Sequence, residues 1–205
     1  MISGINSSNT VWRILYGMTL LAIGRREGIT YFAGTVEAFY ASLAPWLAFL
    51  LVDSFLIFFQ PNKIAIVIKL LLSFCALLLP PVVSQVYAYK WGCMPLWLRY
   101  ITAAMWCNWV KVLVLLFSVV FVLPLLSTLV SQSTFIGIVF ILVVLYSVWI
   151  QWFVARIGLS VSGLRAAILY ATVLLADFAL CGIVMLLSPH LSLTDLLYSV
   201  SVSKK

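Results

Sequence analysis

Four charged residues stand inside long apolar runs of this chain: Asp53, Lys69, Lys111 and Asp177. An ionisable side chain in hydrocarbon is unfavourable by roughly 2.5 to 3.5 kcal/mol on insertion scales, so each needs a partner or a task. Asp53 precedes the Pro61-Asn62 turn by about eight residues and Lys69 follows it by about seven, which places both ~12 Å from the turn on neighbouring antiparallel helices. That spacing predicts an ion pair pinning a hairpin. Counted from the other side of the bilayer, Lys111 lies about 11 residues beyond a start near Tyr100 and Asp177 about 12 beyond Arg165, again at similar depth, ~16 to 18 Å. The chemistry open to this second pair is a buried ion pair or hydrogen bond fixing helix packing, a proton or ion relay through Asp177, Lys111, Asn108 and Gln151, or an acid that is protonated and unpaired. A third helix starting nearer Trp109 would instead make Lys111 an interfacial side chain and deprive Asp177 of this partner.

Other reactive residue types do not assemble into a recognisable motif. Cys75, Cys93, Cys107 and Cys181 form no CxxC pair, and the single histidine, His190, follows Pro189 near the tail. Ser160 and Ser162 have no histidine close in sequence, and Gly158 with Gly163 lacks the lysine and the preceding strand of a phosphate loop. The expectation is therefore a non-enzymatic chain with no catalytic, cofactor-binding or metal-ligating residues.

The elements that must position the four charges are set by composition. Of 205 residues, 65% are hydrophobic and 8% charged, against about 45 to 50% and about 25% in soluble domains. Mean hydropathy is +1.22. With roughly 20 apolar residues per crossing, five helical spans are predicted: residues 37–59, 64–86, one starting between 96 and 109 and ending near 130, 135–153, and 166–187. The fold class is an all-α polytopic membrane bundle, because a barrel would alternate polarity in segments of about ten residues. Residues 11–23 are apolar but too short to span and contain Arg13, so they predict an amphipathic helix lying in the interface. The organisation is then a cytoplasmic N-terminal segment 1–36, a five-helix domain 37–187 and a tail 188–205. Pro45, Pro80, Pro81 and Pro124 fall within spans and predict kinks.

Loop charge orients the bundle. Arg13, Arg25, Arg26, Lys90, Arg99, Arg156 and Arg165 share one side; Lys63, Lys69, Lys204 and Lys205 occupy the other. The excess predicts a cytoplasmic N-terminus and an extracytoplasmic C-terminus. Tyr87, Tyr89, Trp91, Trp97, Tyr100, Trp149 and Trp152 fall at the same side and predict a one-sided aromatic collar at headgroup level. The net charge of +7 is scattered singly through apolar sequence, which predicts contact with the lipid bilayer and no nucleic-acid partner. A membrane-protein partner or a second copy of the chain is a further expectation.

Leu145-Tyr146-Ser147-Val148-Trp149, through Ile157-Gly158-Leu159-Ser160, to Leu164-Arg165-Ala166-Ala167 resembles the aromatic span, glycine-containing connector and start of the last helix in the Yip (Ypt-interacting protein) family of multi-pass membrane proteins. Tyr31-Phe32-Ala33-Gly34 to Ser42-Leu43 is similar to the approach to the first helix in some bacterial members. The resemblance implies a five-span topology and, for eukaryotic members, membrane trafficking with small GTPases. Residues 1–36 hold no long soluble region like that of trafficking members. The functional expectation is a Yip-like protein that organises the membrane or scaffolds a membrane complex; the alternative is a small transporter or permease subunit using the intramembrane charges. Lys111 and Asp177 discriminate between them: a dry pair favours the scaffold, and a polar cavity favours transport.

Overall fold

A computed structural model describes residues 7–56, 63–122 and 132–187. Among these, all regular structure is helical: α1 Ser7–Ala22, a 3-10 helix Arg26–Tyr31, α2 Val36–Leu56, α3 Lys63–Lys90, α4 Met94–Phe117 continued by a π-helical turn Ser118–Val122, α5 Gln132–Gly158 and α6 Gly163–Leu187. Four stretches are long and apolar enough to cross a bilayer: Leu70–Lys90, Met94–Val122, Phe135–Gly158 and Gly163–Ile183. The first of the five expected spans corresponds to α2, which is apolar over the shorter stretch Val36–Val52. The chain following Leu56 up to α3 lies outside the described residues, as do Pro124 and the tail from 188 onward.

Helix α4 is the centre of the bundle. Tyr100, Ile101, Thr102, Ala103, Ala104 and Met105 are all buried. Six consecutive buried positions cover every face of a 3.6-residue turn, so α4 is surrounded by neighbours rather than packed along one stripe. It contacts α1, α2, α3 and α5, while α6 packs on α3 and α5. Ala103 and Ala104 on α4, Ala155 on α5 and Ala166 on α6 are nearly or fully inaccessible; small side chains let backbones approach closely where lipid offers no hydrophobic drive for helix association. Leu113, Leu116, Phe140, Leu145, Leu175 and Phe178 are exposed, the pattern of helices whose outer faces meet hydrocarbon.

Three helix boundaries correct the sequence reading. Helix α4 starts at Met94, behind Cys93 and with Pro95 in its first turn, where proline is tolerated because the N–H it lacks has no intrahelical partner there. Lys111 therefore lies well inside the helix. Helix α3 contains Pro80 and Pro81, as the span 64–86 anticipates, and extends beyond Val86 to Lys90. Neighbouring helices and side chains satisfy backbone groups freed by proline within membranes, and here Ser84 Oγ donates to the Pro81 carbonyl at 3.1 Å. The connector between α5 and α6 shrinks to residues 159–162, since Leu159 and Val161 are themselves buried. Ser160 takes a φ of 53° to complete this turn, and Ser162 Oγ accepts from the Arg165 N–H at 3.4 Å to cap α6.

The stretch expected to be amphipathic forms α1. It turns Ile14, Met18 and Leu21 inward and leaves Val11, Trp12, Leu15 and Tyr16 exposed. The 3-10 helix lies against it so tightly that a Cβ on Gly28 would meet the Gly17 carbonyl at 2.8 Å. Tyr146 Oη on α5 donates to the Ala22 carbonyl at 3.0 Å and ties the end of α1 to the bundle.

Candidate functional site

The end of the bundle that joins α3 to α4 and α5 to α6 carries the expected aromatics. Arg156 lies over the Trp152 ring at 5.6 Å and Arg165 over Trp91 at 6.0 Å, spacings that allow cation–π attraction. Trp152 Nε1 donates to the Gly163 carbonyl at 2.9 Å, and Tyr87 Oη shares a hydrogen bond with Thr172 Oγ1 at 3.0 Å. At the same end, α4 and α5 touch at Gly158, where an added Cβ would stand 2.9 Å from Tyr100 Cβ. This collar fixes the axial register of α4, α5 and α6, and so the depth of the polar residues further in.

From that end, Lys111 lies about 17 residues along α4 and Asp177 about 14 along α6, or ~25 and ~21 Å at the helical rise. The depths exceed the sequence-based values because α4 begins at Met94 and α6 at Gly163. Both residues line one cavity of about 240 Å³ enclosed by α3, α4, α5 and α6. Its polar wall is completed by Asn108, Ser147, Gln151 and Tyr170.

Two features of this wall matter chemically. Gln151 Nε2 donates to Asn108 Oδ1 at 2.9 Å and to the Ala104 carbonyl at 3.4 Å, so the amides are held across the α4–α5 contact. Asp177 Oδ1 is buried without a hydrogen-bond partner. Lys111 and Asp177 line the same space, but no ion pair closes between them among the described residues. A desolvated, unpartnered carboxylate oxygen is an expensive arrangement for a merely structural contact.

Lys111 and Asn108 also border a second cavity, about 410 Å³, whose other walls come from α2 and α3 and include Trp46, Phe49, Leu50 and Leu77. Trp46 packs on Trp109 with ring centroids 4.8 Å apart, and Phe49 lies 5.5 Å from Trp109. The indole Nε1 atoms of Trp46 and Trp109 are buried with no partner.

The structure thus brings Asp177, Lys111, Asn108 and Gln151 to one wall. The other expected pair is different: Asp53 is on α2 and Lys69 on α3, but their side chains, and hence their pairing, lie outside the described residues. Tyr170 and Ser147 were not singled out from the sequence. Helical spacing carries the signal for both: Tyr170 stands seven residues before Asp177, and Ser147 four before Gln151, each on the face of its helix that bears the polar partner.

Among the described residues no group of three or more His, Cys, Asp or Glu is placed to hold a metal ion. Cys75, Cys93, Cys107 and Cys181 are free thiols, and His190 lies outside the described residues. No protein-family model, curated protein or solved structure matches the chain. What the fold and composition define is the class: a membrane-embedded helical bundle with, among the described residues, four helices long and apolar enough to span.

Proposed function

We propose that the chain is a small, non-enzymatic permease or permease subunit for an organic anion, with the cavity at Lys111 and Asp177 as the point of passage. The observation that carries this reading is the unpaired meeting of opposite charges: both residues line one space, and Asp177 Oδ1 has no partner. A structural ion pair in hydrocarbon gains Coulomb attraction by closing, and that attraction is what offsets the desolvation of its two charges. An open pair is suited to exchanging its partner, with Asp177 balancing the Lys111 charge while the site is empty and an incoming anion taking that place. At ~30 Å³ per water molecule, a 240 Å³ space accommodates a small solute headgroup or a short file of water, and no wide pore is needed.

In this reading the collar end faces the cytoplasm. Its support is the excess of Lys and Arg on that side and the stacking of Arg156 and Arg165 on tryptophans there. Flux into proteoliposomes tests the proposal. With methanesulfonate and octanesulfonate as permanently charged probes, uptake above protein-free vesicles and its loss in Asp177→Asn and Lys111→Met is the expected result.

A second reading, a Yip-like membrane organiser, is favoured by one separate observation: the exposed Trp12, Leu15 and Tyr16 face of α1, which suits burial in a leaflet or against a partner. Purification in mild detergent followed by mass spectrometry checks it. Stable co-purifying proteins or selected lipids are its expected outcome, and a clean monomer without them counts against it.

A further inference from the structure

The two cavities share a wall. Ala76, Pro80, Met105, Asn108 and Lys111 border both, so Lys111 stands between the two spaces. The larger space is lined mainly by apolar side chains, Trp46, Phe49, Leu50 and Leu77 among them, with Ser73 on α3, and Phe49 is exposed. A space of about 410 Å³ falls within the range of small-molecule sites, roughly 300 to 1,000 Å³. At its margins are a buried indole Nε1 on Trp46 that lacks an acceptor and a cation.

We infer that this composite site binds an anionic amphiphile: a single carboxylate or sulfonate head at Lys111 and an unbranched apolar chain along Trp46, Phe49 and Leu77. Charge complementarity chooses the head. An ammonium in hydrocarbon gains most from an oxyanion, through charge-assisted hydrogen bonds that Asn108 and the Trp46 N–H can extend. The walls choose the chain, because Trp46, Phe49, Leu50 and Leu77 offer an alkyl chain van der Waals contact along its length, and a wholly polar solute would leave the larger space unused. An exposed Phe49 at the rim makes the bilayer itself the route of entry. The inference rests on the permease reading for the fate of the ligand but not for its binding.

The test is binding of radiolabelled octanesulfonate to the full chain in lipid nanodiscs, with empty discs subtracted. Saturable binding is expected, at least about tenfold tighter than for methanesulfonate, octanol or octyltrimethylammonium. Lys111→Met should weaken it about tenfold or more, and Lys111→Arg should retain it. Leu77→Trp, which fills the chain compartment and leaves the charges in place, should exclude octanesulfonate and reads the same site if Lys111→Met fails to fold. Equal binding of methanesulfonate or octyltrimethylammonium, or unchanged binding in a folded Lys111→Met or Leu77→Trp protein, overturns the proposal. Anion flux with no preference for chain length preserves the permease reading and sinks this one. Octanesulfonate binding at Lys111 without flux does the reverse.

Discussion

Gln151 on α5 donates to Asn108 on α4 at 2.9 Å inside the cavity that Lys111 and Asp177 also line. Interhelical hydrogen bonds in membranes average about 0.6 kcal/mol and reach about 1.7, so Gln151→Leu should lower stability by that order while leaving Asn108 Oδ1 without its donor. Reversible unfolding in mixed micelles measures the loss. The double variant Asn108→Leu with Gln151→Leu should recover part of it, because removing both partners avoids an orphaned polar group.

Gly158→Ala should be strongly disruptive at the contact between α4 and α5. The added Cβ would lie 2.9 Å from Tyr100 Cβ and 3.1 Å from Tyr100 Cα, and backbone atoms of packed helices cannot swing aside. Overpacking of this kind costs about 1 to 3 kcal/mol. Gly182→Ala, with nothing within 4 Å of the new methyl, should be neutral or stabilising by up to about 1 kcal/mol. Thermal unfolding of the two variants side by side checks the contrast, and equal Tm values would refute the close approach.

Much of the architecture is legible in the sequence because apolar length is itself the signal. The runs ending near Val86, Phe153 and Leu187 each become one helix. What misleads is local polarity at helix ends. Arg99 blurs the start of α4, yet the helix begins earlier, at Met94, because a membrane helix can extend a polar turn into the headgroup layer. Pro80 and Pro81 each remove a backbone hydrogen bond from α3, yet the helix runs through both, since neighbouring helices and side chains satisfy the freed groups. At the site, similar depth for Lys111 and Asp177 follows from counting residues, whereas the space between them does not. A cavity depends on side chains from four helices, and no single run encodes it. Trp46, on a different helix and far from Lys111 in sequence, has no legible link to it.

Side-specific labelling tests the orientation. In a chain whose four native cysteines are replaced, Tyr89→Cys, at a position 78% exposed beside the collar, should react with an impermeant maleimide only when the cytoplasmic face is accessible. Labelling in intact cells would reverse the assigned sidedness.

The central claim is that Lys111 and Asp177 serve passage rather than packing, and anion uptake into proteoliposomes addresses it most directly. Wild-type chain should take up octanesulfonate faster than protein-free vesicles, and Asp177→Asn and Lys111→Met should each reduce the rate about tenfold or more while remaining folded. Uptake of methanesulfonate and octanesulfonate no faster than in protein-free vesicles, or at the wild-type rate in both variants, would contradict the account.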